Sequence, residues 1–130
     1  MGDRMVKKRR YERVNFVEDV EIIHAGTRYP GVVSDISMKG VLIKLDEIPP
    51  GKVDSDTWLI RLCLSKDVQI VVHAQPSHFA PIHPAVGFNF TAIDVDSMAH
   101  LRRLLELNTG NANQIERELE HMVEDMKRER

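Results

Sequence analysis

From Val14 onward, apolar and polar residues alternate with a period of two. Val14 and Phe16 alternate with Arg13 and Asn15, and Val20 and Ile22 with Asp19 and Glu21. That is the pattern of a strand with one buried face. Ala25-Gly26-Thr27 reads as a hairpin turn. A second strand, from about Arg28 to Ser34, leads into a turn over Asp35–Gly40, and Val41 to Leu45 predicts a third. Ile48-Pro49-Pro50-Gly51 breaks the pattern, because two prolines cannot donate to a sheet ladder. Trp58, Ile60, Leu62 and Leu64 define one face of a fourth strand, and Ser65-Lys66-Asp67 turns the chain into a fifth carrying Val68, Ile70 and Val72. Pro76 to Pro84 holds three prolines and reads as a loop, and Val86, Phe88 and Phe90 make the sixth strand. Six short strands joined mostly by tight turns predict a mainly-β fold, a closed six-stranded antiparallel β-barrel, since closure removes the exposed edges. A parallel sheet would need long crossover helices between the strands.

After Ile93 the period changes to that of a helix. Asp94 and Asp96 are N-cap candidates, Met98, Leu101, Leu104 and Leu105 share one face, and Gly110 sits where a C-cap belongs. A second C-terminal α-helix is predicted to begin at Asn113, with Glu116 as its capping-box partner. Its Ile115, Leu119, Met122, Val123 and Met126 form an apolar stripe, which is expected to pack across the barrel or against a partner. Glu116, Glu120 and Glu124 line up beside that stripe as like charges.

At 130 residues, 42% hydrophobic and 29% charged, the chain suits one globular domain with short extensions. The expected division is a flexible basic arm over 1–8, a barrel over 9–95 and a helical extension over 96–130. No apolar run approaches the ~20 residues that span a bilayer, so no membrane insertion is expected. The single Cys63 cannot form an internal disulfide, which points to a reducing, cytoplasmic setting. The net charge of −2 is unevenly spread: residues 1–13 carry +4 and the remainder −6. A basic arm on an acidic body can fold back on it or bind an anion. With basic charge confined to the arm and few aromatics to stack on bases, neither DNA nor RNA is an expected partner.

Two motifs carry chemistry. Arg9-Arg10-Tyr11-Glu12-Arg13 contains the only Arg-x-x-x-Arg among eleven arginines. A guanidinium can hold a phosphate through two parallel hydrogen bonds or reach the O6 and N7 edge of guanine. Asp35-Ile36-Ser37-Met38-Lys39-Gly40 combines a carboxylate, which can accept from guanine N1–H and N2–H₂, with a hydroxyl and a glycine. Taken singly, the first also fits a solvated basic terminus and the second an Asx-turn between strands.

Together, Arg-x-x-x-Arg before the first strand and Asp-x-Ser-x-x-Gly between the second and third resemble the paired motifs of the PilZ domain family. Gly87-Phe88-Asn89-Phe90 is similar to that family's sixth strand, and the helical tail is similar to the ending of its stand-alone members. The resemblance implies a six-stranded barrel that binds cyclic di-GMP without catalysis and needs no cofactor. On these positions it implies that Arg9 and Arg13 hold guanine edges and phosphates, and that Arg10 adds a stacking or phosphate contact. It assigns Asp35 to a guanine edge, Ser37 to a phosphate and Gly40 to the shape of the turn. It implies one dinucleotide or an intercalated pair. Residues 1–8 lack anchors of their own, so the arm is expected to order on binding and to change the surface offered to a downstream protein partner. The alternative is a nucleotide-independent interaction module using the basic arm and the C-terminal amphipathic helix.

Other residues tempt less. His73, His78 and His83 recur at a five-residue spacing that suits neither a strand face nor a helical turn, so no metal site is expected. Cys63, mid-strand and without an adjacent cation in the sequence, reads as a buried inert thiol. Trp58 reads as core.

Overall fold

The computed structural model describes residues 11–46, 57–80 and 84–128, the side chains of 78–80 and 126–128 excepted. The predicted arm over 1–8 and the Ile48–Gly51 break lie outside the described residues. Six strands, β1 (Val14–His24), β2 (Thr27–Ile36), β3 (Gly40–Leu45), β4 (Trp58–Cys63), β5 (Gln69–Ala80) and β6 (Ala85–Ile93), precede two helices, α1 (Val95–Thr109) and α2 (Ala112–Arg128). The strands pair antiparallel throughout and close in the order β1-β2-β3-β6-β5-β4. The alternating positions explain the closure. Ile22, Val33, Ile43, Ile60, Val72 and Phe88 point inward to one core, and no strand in the ring keeps an open edge. Among the described residues no helix is long and apolar enough to cross a membrane.

The strand boundaries differ from the sequence expectation at instructive places. β1 and β2 meet through Ala25 and Gly26 at φ 52° and 80°. This is the two-residue turn whose twist matches that of a hairpin. β2 continues to Ile36, so Asp35 is a paired strand residue opposite Asn15 and Leu42, and the predicted turn contracts to Ser37-Met38-Lys39. The predicted loop from Pro76 is also corrected: β5 runs through to Ala80 with Pro76 opposite Phe88. Register shifts between His73 and Ala74, and between Pro76 and His78, accommodate it, as bulges let a strand carry a residue with no N–H to give. Cys63 is exposed, not buried. Leu62 points inward, so strand alternation sends Cys63 out, on the same face as the Arg61 cation. Trp58 is core, its ring stacked on His24 with centroids 4.0 Å apart.

The helices close one side of the barrel. Asp94 caps α1 by accepting the Ser97 N–H at 2.7 Å, and Gly110 ends it in the left-handed conformation at φ 69°. Ser97 Oγ also accepts the Val71 N–H at 2.9 Å, which fastens α1 to β5. The start of α2 is two residues earlier than expected. Asn111 Oδ1 accepts the Gln114 N–H at 3.0 Å, so Asn111, not Asn113, occupies the capping position. Ile115 and Met122 join the barrel core, with Leu119 packed against it, while Val123 stays 42% exposed. Ile115, Leu119 and Met122 of the stripe therefore pack on this chain. Arg102 of α1 pairs with both Glu106 and Glu116, and the hydrogen bond to Glu106 is the largest cause that raises its pKa.

Candidate ligand-binding site

The turn between β2 and β3 is built from inside out. Met38 is fully buried at 0% exposure, so its side chain belongs to the barrel core. That explains a methionine where turn chemistry alone would not place one. With Met38 pointing in, Ser37 and Lys39 are oriented about it by local hydrogen bonds. Ser37 Oγ accepts the N–H groups of Lys39 and Gly40, each at 3.3 Å, and donates to the Gly40 carbonyl at 3.4 Å. The Ser37 N–H reaches the same carbonyl at 2.8 Å, and Phe90 N–H donates to the Lys39 carbonyl at 2.8 Å. Gly40 is required by β6. A Cβ there would lie 2.5 Å from the Phe88 carbonyl oxygen, closer than any neighbour can come. The glycine thus serves the β3–β6 approach as well as the turn it ends.

Arg13 arrives from the other side. It lies one residue before β1, whose Asn15 opposes Asp35 in the ladder. Its Nη1 stands 3.9 Å from Asp35 Oδ1, with the two side chains 48% and 19% exposed. Arg13, Asp35, Ser37 and Gly40 line one open cleft of about 220 Å³. The structure therefore brings four of the six sequence-chosen residues together. Arg9 and Arg10 lie outside the described residues.

Four further polar residues line the same cleft: Tyr11, Lys39, Ser77 and Asn89. The Lys39 ammonium lies 5.7 Å from the centre of the Tyr11 ring, within cation–π range. Ser77 Oγ donates to the Gly87 carbonyl at 2.9 Å across β5 and β6. Asn89 pairs opposite Gly40 and Gln75. Asn89 carried a readable signal, since it is the polar, outward position between Phe88 and Phe90. Ser77 was hidden by the proline-based reading of that segment as a loop. In chemical terms the cleft offers two cationic side chains, one carboxylate, and hydroxyl and amide groups within a few ångströms. Such a set matches a ligand that is anionic at one edge and donor-rich at another.

The PilZ domain family model matches residues 7–107, most of the chain. The chain belongs to the PilZ domain family. Among solved structures it is similar to the Bacillus subtilis inhibitor of motility MotI/DgrA, at 18% identity and a TM-score of 0.63. That match covers 82% of this chain but 54% of MotI/DgrA, so the chain spans about half of that protein. It is also similar to the PilZ domain of YcgR from Escherichia coli, solved with c-di-GMP, at 16% identity and a TM-score of 0.63 over 83% of this chain and 96% of that one. The PilZ domain of CeSA from a cellulose-synthesizing bacterium matches at 22% identity and a TM-score of 0.57, over 76% and 96%. Likenesses at these identities establish the barrel fold.

Proposed function

We propose that this chain is a non-catalytic receptor for cyclic di-GMP that takes the dinucleotide into the cleft between the arginine arm and the β2–β3 turn. The observation that carries the reading is the meeting of Arg13 and Asp35 at one cleft, from segments far apart in sequence. Asp35 accepts from a guanine edge, and Ser37 and Gly40 present the turn to a phosphate. Arg13, with Arg9 and Arg10 of the same motif, takes phosphate and the guanine O6/N7 edge. The c-di-GMP-bound PilZ domain of YcgR supports the choice of ligand, as does the Klebsiella pneumoniae MrkH–c-di-GMP complex, to which this chain is also similar. Binding neutralises the arm and changes the surface that a downstream protein partner reads.

A calorimetric titration with cyclic di-GMP, cyclic di-AMP and GTP tests this. The expected result is micromolar affinity for cyclic di-GMP, about −8 kcal/mol, and no saturable binding of GTP. Equal affinity for the adenine analogue would remove Asp35 from the recognition of guanine, and no heat with any of the three would remove the ligand.

A further inference from the structure

The segment that leads into Arg13 is held by the far end of the chain. Glu118 of α2 is 4% exposed, and its Oε2 accepts the backbone N–H of Glu12 at 2.8 Å. The same oxygen accepts from Gln114 Nε2 at 3.1 Å, and Gln114 Nε2 also lies 3.2 Å from the Glu12 carboxylate as its donor. One residue back, the Tyr11 hydroxyl donates to Asp125, also on α2, at 3.4 Å. Helix packing alone does not account for Glu118. It lies between Ile115 and Met122 on the face that joins the core, where an apolar side chain would bury without desolvating a carboxyl group. The partners of Oε2 explain it, while Oε1 is buried with no hydrogen-bond partner among the described residues. Glu12 precedes β1, whose pairing with β2 begins only at Val14. Glu118 supplies the fixed bond that the ladder does not, one peptide away from Arg13.

We infer that Glu118 is a positioning residue for Arg13. From α2 it holds the Glu12 peptide so that Arg13 stands at the cleft beside Asp35 before any ligand arrives. The inference rests on the reading of the cleft as a cyclic di-GMP site, and makes that site a product of three elements: the Tyr11–Arg13 lead-in to β1, the β2–β3 turn and α2. Fixing the departure point of Arg13 in advance lowers the ordering cost that binding otherwise carries. Linkage then sets a second requirement. Whatever factor docked α2 contributes to ligand affinity, the ligand returns to the docking of α2.

The test uses the full chain, with affinity for cyclic di-GMP from calorimetry and amide hydrogen exchange read at Glu12 and along α2. E118A is expected to bind about tenfold more weakly, the worth of one lost buried acceptor and the freedom regained by its donor. E118Q, which keeps an acceptor oxygen at the same place, is expected to restore most of that loss. In the wild type the ligand should slow exchange along α2, and in E118A that added protection should vanish. A helix that merely completes the core would not respond to ligand in this reciprocal way. Wild-type or tighter affinity in E118A overturns the inference, as does an E118Q variant as weak as E118A. Should E118A fail to fold, E12P removes the donor from the exposed partner while leaving α2 intact, and its affinity decides in the same direction. If the wild type takes no cyclic di-GMP, the reading of the cleft fails. Exchange at the Glu12 amide without ligand then decides for Glu118: faster in E118A upholds the anchor, unchanged removes it.

Discussion

Arg13 and Asp35 face each other across 3.9 Å, one from the lead-in to β1 and the other from the paired end of β2. The distance is too long for a hydrogen bond, so attraction between them is Coulombic only. Each therefore keeps its hydrogen-bonding directions open toward the cleft. A pair closed at 2.8 Å would have to be broken before either group could engage a ligand.

The first prediction separates binding from stability at that pair. Arg13→Ala should abolish saturable binding of cyclic di-GMP while changing the folding free energy by no more than about 0.5 kcal/mol, as for half-exposed surface sites. Asp35→Ala should weaken the guanine ligand strongly while sparing general phosphate attraction. Urea midpoints measured beside the titrations check both. A large midpoint shift in R13A would make that arginine part of the scaffold.

Gly40→Ala is expected to behave oppositely. The added Cβ meets the Phe88 carbonyl at 2.5 Å, which is backbone and cannot swing aside. The β3–β6 ladder must give way, at a cost of roughly 1–3 kcal/mol for overpacking. Thermal unfolding of G40A should show that loss before any ligand is added. An unchanged melting temperature would mean the strands separate there with ease.

Much of this was legible in the sequence because its signals are local. The period-two alternation of Trp58, Ile60 and Leu62 marked an inward face, and Asp94 and Gly110 marked both ends of α1. Two of the errors, at Pro76 and Asp35, share a cause in pairing. Pro76 ends a strand by its own chemistry, yet bulges in β5 and a partner in β6 carry the strand through it. Asp35 belongs to a turn by residue type, but Asn15 and Leu42 hold it in the ladder. The motif residues were found because they are unusual for their position. Ser77 and Glu118 were missed because their roles exist only once β6 and the arm root have been brought beside them.

The turn residues Met38 and Lys39 should part sharply when each is cut back. Met38→Ala empties a fully buried site and should cost about 2–5 kcal/mol, the range for core truncations to alanine. Lys39→Ala removes a cation–π contact of partial exposure, worth about 0.5–1 kcal/mol at most. Paired denaturation curves give the comparison, and equal losses would contradict the view of Met38 as a core residue.

Ala25 offers a gain. Its φ of 52° is uncomfortable for a residue with a Cβ, and Gly26 follows at 80°. Asparagine tolerates that region and is favoured at this turn position. A25N should therefore stabilise the protein by roughly 0.5–1 kcal/mol, part of the penalty of about 1–2 kcal/mol for an L-residue in that conformation. Calorimetric melting in the absence of ligand tests it, and a lower melting temperature would show that the turn gains nothing from the substitution.

The last prediction concerns acid. Glu21 of β1 is paired with Arg61 of β4 and Arg28 of β2, so three strands meet at one carboxylate. The hydrogen bond from Arg61 is the largest cause holding its pKa below the ordinary value. A carboxylate lowered in the folded state contributes stability that is complete above its unfolded pKa and is lost as pH falls through the folded one. Arg61 shifts upward and stays charged across this range, so the titration belongs to Glu21. Glu21→Gln cannot titrate. The wild type should therefore exceed E21Q in urea midpoint by a constant margin from pH 7 to about 5, and the margin should close as the pH drops further. Comparing the two proteins at each pH cancels every other carboxylate they share. A margin that persists undiminished however far the pH is lowered would show that the three-strand contact does not depend on the charge of Glu21.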